Sequence, residues 1–300
     1  MAMSRTHHSR SSSGILPPQE TAQTVPELSS IASFRHFYLH ILEALRRSGS
    51  RFLIGGSYAL AAYTEIARTT KDIDLFVTPE EFGGIMAALS QAGYETERTF
   101  PHWLGKVRLG EFFVDVIFSS GNGLCDVDED WFIHASHWKL DEHVVELVPP
   151  EEMIWTKAFV MERERYDGTD IIHLIHACWK QIDWQRLIRR FGTYWEVLFS
   201  HLQLFAFVYP EERHKVPQWV WQTLMKRLEQ RLMTPPSSIE KRLCRGPLIS
   251  WNQFMVPIQS WGYKDARLMP LGNLNQKHIE EFTETMHHET LLNSQWWVKS

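Results

Sequence analysis

The 300-residue chain is 44% hydrophobic and 22% charged, enough apolar material for a sizeable core in two modest domains or one large one. Its formal net charge of −5 argues against a broad nucleic-acid-coating surface, and no run of eighteen apolar residues offers a membrane span. Cys125, Cys178 and Cys244 stand far apart with no paired metal spacing, and the first residues lack the apolar stretch of a secretory leader, so a reducing, cytoplasmic setting is expected.

Residues 1–28, rich in Ser, His and Pro, read as a disordered tail. Over residues 31–47, Phe34, Phe37, Tyr38, Ile41, Leu42 and Leu45 fall on one helical face. Phe52, Leu53 and Ile54 then form a strand that runs into Gly55, Gly56 and Ser57, where a short helix starts. A second strand carries Asp72 and Asp74. Pro79, with Glu80 and Glu81 behind it, opens a helix that stops before Gly93. A hairpin is expected from 106–109 and 112–118. Residues 119–143 show no regular pattern. Their acids Asp126, Asp128, Glu129 and Asp130 lack the glycine and terminal Glu of a calcium loop and read as a solvated loop. One more short strand spans 144–148, and Pro149-Pro150 marks a boundary.

Beyond that boundary, 151–161, 169–179, 184–191, 194–208 and 219–232 all have helical periodicity. The expected organisation is therefore a tail (1–28), an α/β core (29–150) and a mainly helical domain (151–300). Two basic clusters in the second half, Arg186, Arg189 and Arg190, then Lys241, Arg242 and Arg245, are expected as solvated helix faces. Its tryptophans are expected as core rather than as stacking platforms. Asp170, His173 and His176 share one face of an amphipathic helix, too few ligands for a zinc site.

The chemistry concentrates in residues 51–77. Neighbouring glycines let backbone approach a ligand closely, and a helix N-terminus presents N–H groups to a phosphate. Asp72 and Asp74 project to one face of their strand because side chains alternate with period two. Adjacent carboxylates repel unless a cation lies between them. A third acid, Asp115, interrupts the apolar strand EFFVDVIF, where an unpaired charge costs several kcal/mol. A phosphate cradle beside metal-binding acids is apparatus for phosphoryl or nucleotidyl transfer. Lys157 sits in an apolar stretch and its ammonium needs a partner: a triphosphate, or Asp167 or Asp170 in an ion pair pinning the two halves together.

With Gly55, Gly56 and Ser57, then Asp72 and Asp74, then Asp115, the chain resembles the DNA polymerase β-like nucleotidyltransferases over about residues 50–175. The gap between Ser57 and Asp72 is slightly longer than that pattern commonly has. The resemblance implies an α/β (α+β) core with a mixed sheet and Mg²⁺ as cofactor. It casts Asp72, Asp74 and Asp115 as catalytic metal ligands, and Gly55, Gly56 and Ser57 as the nucleotide cradle. The segment IWTKAFVMERERYDGTDIIHLI is similar to one in minimal nucleotidyltransferases and AbiEii-like toxins. It implies nucleotide-binding roles for Lys157, for Arg163 or Arg165, and for Asp167. The implied reaction moves an NMP from an NTP to a hydroxyl of a tRNA, a protein or a small molecule by a two-metal mechanism. An antitoxin is the implied partner of the toxin variant. The alternative is a catalytically inactive binding or regulatory protein on the same fold.

Overall fold

A buried stripe of Phe37, Tyr38, Ile41, Leu42 and Leu45 holds helix α1 (Val25–Ser48) against the core in this computed structural model, which describes residues 25–268 apart from Thr69, Lys71, Glu111, Asp141 and Trp251. Each such side chain contributes about 1.5–3 kcal/mol by burial. The expected tail lies outside the described residues as far as 24, and residues 269–300 of the expected helical domain lie outside them too.

Strand β1 (Leu53–Ile54) leads through the glycine turn into α2 (Gly56–Thr64), and β2 (Asp72–Phe76) follows. Helix α3 (Pro79–Gln91) starts where Thr78 Oγ1 accepts from the Glu81 N–H at 3.4 Å, with Pro79 in the first turn. Next come β3 (Glu95–Phe100), β4 (Leu104–Leu109) and β5 (Phe112–Ile117). Helix α4 (Glu129–Ile133), β6 (Ser136–Leu140) and β7 (His143–Leu147) complete the first half. The seven strands form one mixed sheet in the order β3-β4-β5-β2-β1-β7-β6. β2 runs parallel to β5, and β1 parallel to β7, while β1 and β2 are antiparallel.

The second half is helical: α5 (Pro150–Ala158), α6 (Gly168–Cys178), α7 (Trp184–Phe191), α8 (Trp195–Val208) and α9 (Gln218–Met233). Trp155, Trp184 and Trp195 are buried in its core. A two-stranded parallel pair, β8 (Leu243–Cys244) and β9 (Lys264–Asp265), closes the described chain.

Two sequence-based expectations need correction. Arg186 is only 2% exposed and pairs with Glu151 (3.5 Å) and with Glu152. Arg190 reaches Glu152 at 2.8 Å, and also Asp128 and Asp130. Arg186 and Arg190 thus form an ion network with α5 rather than a solvated face, while Arg189 is exposed as expected. Asp128, still exposed, caps α4 and pairs with Arg190. The second basic cluster lies on the turn before β8 and just after that strand rather than on a helix, with Arg245 paired to Glu240 at 3.2 Å.

Candidate active site

The strand alternation that buries Ile73 and Leu75 on one face of β2 turns Asp72 and Asp74 to the other. β5 does the same with Val114 and Val116 against Asp115. Parallel pairing sets the register: Asp74 lies directly beside Asp115, and Asp72 beside Phe113. One carboxylate oxygen from each of Asp72, Asp74 and Asp115 lies within 4.8 Å of the others.

The glycines adjoin these acids. The Gly55 N–H donates to the Asp74 carbonyl at 2.9 Å, so the turn is laced to β2 by backbone. Gly56 has φ +54, and a Cβ there would fall 1.7 Å from Asp74 Oδ2. A Cβ on Gly55 would meet the Phe76 ring at 2.3 Å. Both positions need glycine, because the Asp74 carboxylate and the Phe76 ring occupy the space that side chains would take. Ser57, half-buried, stands in the first turn of α2, and no side chain caps that helix at its N-terminus.

Crowding the acids has an electrostatic consequence. Burial, then the charges of Asp72 and Asp115, raise the Asp74 carboxyl to about 7, against the pull of Lys157 and Arg165. Burial also raises Asp115, while the hydrogen bond and charge of Lys106 oppose the shift. Lys106, directly opposite Asp115 across the β4–β5 ladder, places Nζ 2.6 Å from Asp115 Oδ1. Thr70 donates to Asp72 Oδ1.

Beside the triad lies a second cluster. Lys157 at the end of α5 donates to Asp167 Oδ2 at 3.1 Å and to Asp170 Oδ2 at 2.8 Å. Arg165 grips both oxygens of Asp167 at 3.1 Å. Burial pushes the Asp167 carboxyl up, but the Arg165 hydrogen bond and the Lys157 and Arg165 charges bring it below the ordinary carboxylate range. Arg163 is exposed on the same loop and does not join these pairs. The ion pair set beside the triphosphate as the alternative partner of Lys157 is therefore formed. Arg68, from the loop between α2 and β2, closes on Asp170 Oδ1. Arg68 and Lys106 escaped the sequence reading. A charged residue in a loop or on a half-exposed strand carries no local signal of its partner.

The arrangement expected from the nucleotidyltransferase resemblance, a mixed sheet carrying a glycine turn, a short helix and three carboxylates on neighbouring parallel strands, is present in this chain. More particularly, the profile of the aminoglycoside-2''-adenylyltransferase family matches residues 38–109, which takes in the glycine turn, Asp72 and Asp74 but ends before Asp115. Among solved structures, the chain is similar to the antibiotic-resistance factor ANT(2'')-Ia at 19% identity, over 58% of this chain and 97% of that one, with a TM-score of 0.38. It is similar to the lincosamide antibiotic adenylyltransferase LnuA in its lincomycin-bound form (16% identity, 50% and 96% covered, TM-score 0.34). The Megavirus polyadenylate synthase is a further neighbour (14% identity, 56% and 40% covered, TM-score 0.35). No curated protein matches the sequence. Among the described residues, no helix is long and apolar enough to cross a membrane.

Proposed function

We propose that the chain transfers an NMP unit from an NTP to a hydroxyl of a small-molecule acceptor, with Mg²⁺ held by Asp72, Asp74 and Asp115. The observation that carries this reading is the convergence of three carboxylate oxygens within 4.8 Å, beside a glycine turn that opens an uncapped helix. The donor set suits the metal: all-oxygen carboxylate ligands favour a hard divalent cation, and their mutual repulsion at Asp74 is relieved by one. When bound, Mg²⁺ supplies charge neutralisation and Lewis-acid polarisation at the phosphoryl group.

The chain's own residues do the rest. The first-turn N–H groups of α2 and the Ser57 hydroxyl bind the β- and γ-phosphates. Lys157 and Arg165 neutralise the triphosphate, partly exchanging Asp167 for phosphate oxygens. Asp115, with its affinity for a proton raised by burial, accepts the acceptor's hydroxyl proton. The new bond joins the acceptor oxygen to the α-phosphorus, and the bond from that phosphorus to pyrophosphate breaks.

The family match supports a small-molecule acceptor, with an aminoglycoside-like polyol as the first to try, over a tRNA or protein hydroxyl. The toxin-like variant and its antitoxin partner rest only on the likeness of residues 154–175. The test is transfer of α-labelled NTPs, with Mg²⁺, to aminoglycosides, a tRNA pool and a protein acceptor in parallel. Label on the small molecule that vanishes in Asp72→Asn is the expected result. A folded wild-type protein that transfers label to no acceptor from any NTP overturns the reading.

A further inference from the structure

The seven residues between α2 and β2 do more than connect them. Glu65, in the left-handed region at φ +61, ends α2 by donating its N–H to the Ala61 carbonyl at 2.8 Å. The chain then swings Arg68 across to α6, where it meets Asp170, and sends Thr70 back onto Asp72. One loop thus touches both the acid triad and the cationic cluster.

The charges in that cluster do not balance. Arg68, Lys157 and Arg165 are three cations, and Asp167 and Asp170 are the two carboxylates that hold them. The surplus positive charge lies next to the triad along the same loop, since Arg68 on Asp170 stands two residues from Thr70 on Asp72. A metal–triphosphate has the complementary distribution, with its cation toward the acids and its anionic tail toward the cluster. Asp170 is buried, its side chain 5% exposed, and takes one cation on each oxygen; the Arg68 side chain is 47% exposed and reaches it from the solvent side. If Arg68 leaves, Lys157 stays, so no buried carboxylate is stranded without a partner. A guanidinium also presents the planar fork that matches phosphate oxygens.

We propose that Arg68 is a third cation of the triphosphate site, parked on Asp170 in the empty protein and transferred to the phosphates when nucleotide enters. This rests on the nucleotidyl-transfer reading and adds a residue that moves on binding. A strut that merely ties the α2–β2 loop to α6 is the competing role, and nucleotide charge separates the two. The four Mg·NTPs are first titrated calorimetrically into wild type, and the tightest, taken as Mg·ATP, and its NMP then into wild type, Arg68→Ala and Arg68→Lys, each also followed through urea unfolding. Arg68→Ala is expected to weaken Mg·ATP about tenfold or more and AMP less than about twofold, with its unfolding midpoint held. Arg68→Lys, which keeps the charge and loses the fork, is expected between the two and covers the case in which the alanine variant does not fold. Equal affinity of wild type and Arg68→Ala for Mg·ATP overturns the proposal alone, as does a parallel loss of ATP, AMP and stability. Failure of wild type to bind any of the four NTPs removes the parent reading, and this one with it.

Discussion

Asp74→Asn in metal-free protein is the sharpest probe of the acid triad, because it should stabilise the fold while removing a group the proposed chemistry needs. The carboxyl of Asp74 is raised from 3.8 to about 7 by burial and by Asp72 and Asp115. The folded chain therefore holds this proton more tightly than the unfolded chain does. Below about pH 4 both states are protonated and Asp74 costs nothing. Between about pH 4 and pH 7 the unfolded chain ionises while the folded one resists, so stability falls as pH rises, and the full penalty is reached above pH 7. Roughly three decades of proton affinity, at about 1.4 kcal/mol each, set a ceiling of about 4 kcal/mol. Water reaching the half-buried carboxylate reduces this to roughly 2–4 kcal/mol at pH 8. Urea unfolding in EDTA at pH 4.5, 6 and 8 measures it: the Asn variant should exceed wild type least at the lowest pH and progressively more above. Saturating Mg²⁺ should stabilise wild type at pH 8 and close the gap, since only the folded triad gathers ligands for it. Parallel pH dependence of the two proteins in EDTA would refute the argument that the triad stores repulsion.

Gly56→Ala should abolish transfer, at least 100-fold, while circular dichroism stays native, because its Cβ falls 1.7 Å from Asp74 Oδ2 at a left-handed φ; retained activity would mean that the carboxylate lies elsewhere. Glu152→Ala should cost up to about 3–5 kcal/mol in denaturant unfolding by removing the nearest carboxylate of the buried Arg186, which keeps only Glu151 at 3.5 Å. A loss under 1 kcal/mol would show that the network is solvated. Thr78→Ala, which removes the cap of α3, should cost about 1 kcal/mol and leave turnover unchanged in an activity assay.

How much of this was legible in the residues depended on burial. β2 and β5 announce themselves because Ile73 and Leu75, or Val114 and Val116, alternate with the acids, and the glycine turn is marked by its composition. β3 (ETERTF) and β6 (SHWKL) passed unread, and they are the two edges of the sheet. Edge strands tolerate polar residues, and so lack the apolar alternation that betrays a strand. The helical periods after Pro150 were plain, since α6 and α8 each bury one face. Arg186, Arg190 and Asp128 looked like solvated charge because their partners lie 34 to 62 residues away, beyond any local pattern. Arg68 and Lys106 were missed for the same reason.

The lateral pairing of β2 and β5 carries a consequence for how such a chain can diversify. Between these strands the backbone makes a detour through α3, β3 and β4 before returning to lie beside its starting point. The third acid owes its place to a ladder of backbone bonds, not to the length of that detour. Insertions at the hairpin tips or around Gly93 should therefore reshape the sheet's outer margin without moving an oxygen of the triad. A single deletion inside β5, by contrast, would turn Asp115 to the opposite side of the sheet.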